Sequence, residues 1–191
     1  MWVDTVAMTK MPKKFHDNVP ELLAAAGFGP DMIDALLDLD GTMFLWHRAS
    51  SKGEVPAKIL AELGSSVEVG QFYAMTAIFR IQEGVGRDIA EPATIGLLAE
   101  EMNIDPSRAS RVASDLIAKG LVRREAAQDD GRKSILVLTD AAVALFRAYK
   151  ELKWAKVIEV YRDWNAEDIA AFSRLLGRYV GDMRRVLHGQ D

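Results

Sequence analysis

A chain of 191 residues that is 49% hydrophobic and 27% charged has the balance of a globular protein with a substantial core. It has no cysteine, which excludes disulfides, thiolate metal sites and thiol redox switching and fits a reducing compartment. The 24 Lys and Arg against 28 Asp and Glu leave a net charge of -4, which argues against indiscriminate nucleic-acid binding while leaving room for a few well-placed cations.

No apolar run approaches the ~20 residues a membrane helix needs. The opening MWVDTVAMTKMPKKF lacks an apolar core of signal-peptide length. The expectation is a cytoplasmic protein with no membrane partner.

Residues 1–30 read as an N-terminal extension, a mobile arm or a short helix over 20–26 closed by Gly27 and Gly29. Lys10, Lys13 and Lys14 leave open an arm that touches DNA phosphate or a partner subunit. Residues 31–65 form an N-terminal helical region. Met32, Ile33, Leu36, Leu37, Met43, Phe44 and Trp46 give a wide apolar face to a helix over 31–50. Gly41 inside it predicts a kink or a close contact. Gly53 and Pro56 interrupt the pattern before a short helix over 56–63.

Ser65-Ser66-Val67-Glu68 has the spacing of a capping box. It predicts a helix to about residue 82 that buries Val69, Phe72, Tyr73, Met75, Ile78, Phe79 and Ile81. EGVGRDIAEP is then a loop by its Gly and Pro content.

From Thr94 the pattern sharpens. Thr94 is placed as an N-cap, Leu97, Leu98, Ala99 and Met102 give an apolar side, and Asn103-Ile104 make a turn. Asp105 caps a second helix with Pro106 at its first position. Ala109, Val112, Ala113, Leu116 and Ile117 define its buried face, and Gly120 ends it. Strands at Leu121-Val122-Arg123-Arg124 and over 134–138 flank a tip, AAQDDGRK, whose Asp-Gly suits a turn. Thr139 caps a long helix over 140–163. Asn165 and Asp168 form a capping pair for a last helix striped with Ile169, Phe172, Leu176, Tyr179, Val180, Met183 and Leu187. Helix, turn, helix and hairpin in this order are the pattern of a winged helix-turn-helix.

The face of the second helix opposite its apolar side carries Ser107, Arg108, Ser110, Arg111 and Ser114. Arginine pairs bidentately with guanine, serine reaches base edges or phosphate oxygens, and a helix N-terminus favours phosphate. An ordinary solvated face on a capped helix is the alternative. Arg132 and Lys133 at the hairpin tip suit a minor groove and its flanking phosphate; a charged turn that keeps a sheet edge soluble is the alternative. Asp129 or Asp130 beside them is expected to pair with Arg123, Arg124 or a neighbouring arginine.

These residues carry a resemblance. Thr94-x-x-x-Leu98-Ala99-Glu100, Ser107-x-x-x-Arg111, Lys119-Gly120-Leu121-Val122-Arg123-Arg124, Asp130-x-Arg132 and Leu136-x-Leu138-Thr139 occur in the order and spacing of the MarR family of bacterial transcription regulators. The resemblance covers residues 66–187, roughly two-thirds of the chain. It implies a mostly α fold with a small β-hairpin (α+β), a winged helix-turn-helix with flanking N- and C-terminal dimerisation helices. The winged domain would occupy 66–139 and the C-terminal dimerisation helices 140–191. It further implies a homodimer on a pseudo-palindromic double-stranded DNA operator, acting as a repressor, and a small aromatic or anionic effector that releases the DNA. The longer N-terminal part, and Pro106 and Arg108 at positions variable in the family, depart from the pattern.

Trp46, His47, Phe72, Tyr73 and Phe79, with Trp154, are candidates for an effector pocket; core and dimer interface is the plainer use of such a set. No cofactor is expected. The three histidines lack metal-ligand spacing, so no metal is expected either. No catalytic constellation is found, and an enzyme is not expected. The alternative function is a winged-helix protein-interaction module of anti-repressor type that does not itself bind DNA, which the acidic net charge favours and the outward arginines disfavour.

Overall fold

Side-chain caps mark where most of the helices begin. The computed structural model describes residues 11–126 and 134–189, and the chain divides after Leu138 into two units. In the first, a short 3₁₀ turn at Lys13–His16 leads to α1 (Val19–Ala25), α2 (Pro30–Ser51) and α3 (Glu54–Glu62). Helices α4 (Val69–Glu83), α5 (Ile95–Met102) and α6 (Pro106–Ala118) follow. Strands β1 (Val122–Ala126) and β2 (Ser134–Leu138) then pair antiparallel, with Arg124 opposite Leu136. This is the mostly helical fold with a small hairpin that the sequence predicts.

The centre of this unit is α4. Ala74, Met75, Ala77, Ile78 and Ile81 are fully buried, because α3, α5, α6 and β2 all pack on it. A helix surrounded in this way is apolar over most of its circumference. Leu98 of α5, Leu116 of α6 and Leu136 of β2 close the core around it.

Three local expectations need correction. The capping box at the start of α4 is formed by Glu68 and Gln71, three residues later than expected, with the Glu68 N–H donating to Gln71 Oε1 at 3.1 Å. Ser65 instead turns the chain by accepting the Val67 N–H at 3.2 Å. Burial of Val67 draws this segment inward, so the backbone stays extended through Glu68 before the helix starts. Tyr73 and Phe79, expected inside, are 40% and 43% exposed, because they leave α4 away from the face packed against α5 and α6. Helix α3 begins at Glu54 and not at Pro56. Gly53 takes φ 64°, and Pro56 falls in the first turn, where its missing N–H costs no helical hydrogen bond.

At Gly41 helix α2 continues unbroken and a close contact takes the place of a kink. A Cβ there would sit 2.8 Å from Met11 Cγ, so the glycine provides the notch into which the N-terminal segment fits. Beside it Phe15 stacks edge-on against Phe44, and His16 Nε2 lies 2.9 Å from Asp40 Oδ2.

The second unit is two long helices. Thr139 caps α7 (Asp140–Tyr161) by accepting the Ala142 N–H at 3.3 Å. Asn165 caps α8 (Ala166–His188) by accepting the Asp168 N–H at 2.8 Å, and its amide donates back to the Asp168 carboxylate. Tyr161, Trp164 and Phe172 form an edge-to-face series across the turn between them. No residue of α8 is buried, and its stripe from Ile169 to Leu187 lies open along the helix. No helix among the described residues is long and apolar enough to cross a membrane.

Candidate nucleic-acid interface

Helix α5 starts at Thr94, whose side chain accepts the Leu97 N–H at 3.2 Å. It stops at Asn103, which adopts φ 51°, a conformation asparagine tolerates better than most residues. The Ile104 N–H then caps Ala99 O at 3.0 Å, and two residues later the chain enters α6. Asp105 makes that entrance rigid. Its carboxylate accepts the Arg108 N–H at 2.8 Å and the Ser107 hydroxyl. The Ser107 hydroxyl, then the Arg108 N–H, hold the Asp105 carboxyl below its ordinary range, so the cap is ionised at neutral pH.

The buried side of α6 is Ala109, Ala113 and Leu116, with Val112 and Ile117 half-buried. Two alanines there let the helix approach its neighbours closely. Ser107, Arg108, Arg111 and Ser114 are exposed on the other side, and Ser110 is half-buried. The Ser114 hydroxyl turns back to the Ser110 carbonyl at 2.9 Å, and Ser107 is engaged by Asp105. Arg108 and Arg111 are therefore the groups on this face that reach furthest. Gly120 ends the helix with φ 70°, as expected for a glycine just past a helix C-terminus.

The structure thus brings Ser107, Arg108, Ser110 and Arg111 together on one uncovered helix face. Arg132 and Lys133, with Asp129 and Asp130, lie outside the described residues. At the hairpin base, Arg123 Nε is held by Glu125 Oε1 at 2.6 Å. The aromatic set is less convergent. Phe72 is buried in the α4 core, whereas Trp46, Tyr73 and Phe79 are exposed; His47 is exposed on α2 and within 3.2 Å of the Ser51 hydroxyl. Trp154, 55% exposed, belongs to α7 in the other unit.

Several supporting residues escaped sequence reasoning. The Gln82 amide donates to the Leu136 carbonyl at 3.1 Å, and the Leu136 N–H donates to the Ala93 carbonyl at 2.7 Å. Glu101 holds Arg80 at 2.8 Å and Arg87 at 2.7 Å, and Lys119 reaches the Ser66 carbonyl. These partners are far apart in sequence and obey no spacing rule. The one available signal was a glutamine near the end of a largely apolar helix.

Two helices joined by a tight turn and followed by an antiparallel hairpin define a winged helix-turn-helix protein. Residues 87–133 match the family model of the MarR family. The chain is 31% identical over 87 residues to YxaD, an uncharacterized HTH-type transcriptional regulator of Bacillus subtilis (strain 168). That match covers 46% of this chain and 61% of the relative, less than two thirds of the relative's length. A MarR family protein from Bacillus stearothermophilus has the same fold, with a TM-score of 0.61 at 18% identity over 82% of this chain and 98% of that one. So does MepR of S. aureus. Bound to ethidium bromide it gives a TM-score of 0.53 at 15% identity over 74% of this chain and 95% of that one. A MepR mutant bound to an oligodeoxyribonucleotide gives 0.50 at 16% over 74% and 97%. Over its winged helix-turn-helix the chain is thus similar to the MarR family, and it shares the fold of that family's solved structures.

Proposed function

We propose that this protein is a sequence-specific double-stranded DNA-binding regulator, acting as a homodimeric repressor on a pseudo-palindromic operator. The observation that carries the reading is α6. It is a rigidly capped helix whose uncovered face bears Arg108 and Arg111 among small serines, with nothing bulky to bar a major groove. Arg111 is assigned to base edges and Arg108 to bases or phosphate. Ser107 and Ser110 are the closer, secondary contacts. Arg132 is assigned to the minor groove and Lys133 to phosphate on the strength of their place in the sequence. The MepR structure with an oligodeoxyribonucleotide supports the reading for the shared fold.

The open apolar faces of α2 and α8 support a homodimer, since such surface is costly to leave in water. Release by a small aromatic or anionic effector is the accompanying reading. MepR bound to ethidium bromide supports it, with Trp46, His47, Phe72, Tyr73 and Phe79 as the assigned residues. A bound small molecule is then an effector and not a substrate, and no turnover is expected.

Selection of duplexes from a random-sequence pool by the purified chain tests the proposal. Enrichment of a two-fold related sequence is expected. A pool that stays random after repeated rounds would sink it and favour a winged-helix module that binds protein.

A further inference from the structure

We propose that Glu101 is a positioning residue for the DNA interface: by clamping Arg80 and Arg87 it fixes the loop ahead of α5 and, through that loop, the second strand of the hairpin. The inference rests on the DNA-binding reading above.

The loop over residues 84–93 has little reason of its own to hold one shape. It contains two glycines at positive φ, Gly84 and Gly86. Yet it doubles back tightly, and a Cβ at Gly84 would lie 3.1 Å from the Ala90 nitrogen. Its far end matters to the hairpin. Ala93 is fully buried, and its carbonyl accepts the Leu136 N–H at 2.7 Å. Gln82 takes the Leu136 carbonyl, so β2 is gripped on its outer edge at both polar groups of one residue. Hairpin placement therefore depends on where the loop holds Ala93.

What holds the loop is a junction of three elements. Arg80 comes from α4, Arg87 from the loop and Glu101 from α5. One Glu101 oxygen takes Arg80 and the other takes Arg87, while Arg87 also reaches Glu91 at 3.4 Å. Glu101 and Arg87 are both more than four-fifths buried as side chains. The Nε atoms of both arginines are buried without a hydrogen-bond partner, so each guanidinium is oriented through its outer nitrogens alone. Removing the Glu101 charge would leave Arg80 and Arg87 in a partly desolvated site with only the longer contact of Arg87 to Glu91 to offset them, and the loop carrying Arg87 is the element free to yield. Glu101 lies two residues before the turn at Asn103. One carboxylate thereby ties the hairpin support to the helix pair that presents Arg108 and Arg111.

The test uses the full chain and a duplex it selects from a random pool. Glu101→Gln should bind that duplex about tenfold more weakly, a loss of about 1.4 kcal/mol. The slope of log affinity against log salt should shrink by about one phosphate contact. Partial unfolding lowers the active fraction but leaves that slope alone, so the slope separates positioning from plain destabilisation. Exchange of the Leu136 amide should accelerate relative to that of Leu98, and Arg87→Lys should fall between wild type and Glu101→Gln. Should Glu101→Gln fail to fold, Arg87→Gln, which leaves Glu101 paired with Arg80 but releases the loop, is read by the same slope and exchange. An unchanged slope together with unchanged Leu136 exchange overturns the proposal. Wild-type protein that selects no duplex overturns the DNA reading instead, and Leu136 exchange in Glu101→Gln still decides whether the junction holds the strand.

Discussion

Asp105 shows how one side chain prepares a surface it does not itself form. Its carboxylate fixes the first turn of α6 and draws the Ser107 hydroxyl inward, so the outward reach of that turn passes to Arg108, with Arg111 on the turn that follows. Its folded-state pKa lies below the unfolded one, near 4. The ionised cap therefore stabilises the fold above that unfolded value, and its contribution fades as pH falls through the lower folded value. Asp105→Asn keeps an acceptor but carries no charge. The stability gap between the two proteins, followed by urea unfolding across a pH series, should be widest near neutrality and close below about pH 4; a gap that ignores pH would contradict this. Arg111→Ala leaves the cap intact and should weaken binding to the selected duplex by about 1–3 kcal/mol if the guanidinium pairs with a base. Anisotropy titrations would show it, and an unchanged affinity would move the contact elsewhere.

Among the elements, α6 depends on a small inner face and one large residue. Leu116 is fully buried, and Leu116→Ala should cost about 2–5 kcal/mol in denaturant unfolding, with loss of DNA binding following loss of fold. The caps at Thr94, Asp105, Thr139 and Asn165 were legible in the sequence because each joins an oxygen to an N–H three residues away. The same logic failed before α4. Ser65 and Glu68 both have capping spacing, and the choice between them is made by burial of Val67, a tertiary event. It failed again for Tyr73 and Phe79, since a helix apolar nearly all round gives periodicity no face to report. At the candidate site, the outward residues of α6 followed from its period and its cap. The junction of Arg80, Arg87 and Glu101 did not, because it unites three elements whose meeting depends on the whole domain.

For the molecule as a whole, the open apolar stripe of α8 sets the expectation. Phe172, Leu175 and Tyr179 are 48%, 53% and 41% exposed, far from the burial such residues reach in cores. A second copy covering this stripe would make the thermal midpoint rise with protein concentration. Sedimentation should then give a dimer that Phe172→Asp shifts toward monomer, while a monomer at every concentration would rule out paired binding to a two-fold related site. Sequence-specific duplex binding is tested most directly by the anisotropy of a selected duplex against a scrambled one across about 50–200 mM salt. Specific affinity should exceed the scrambled value by about a thousandfold or more, with both falling steeply as salt rises. Equal, weak binding to the two duplexes would contradict it.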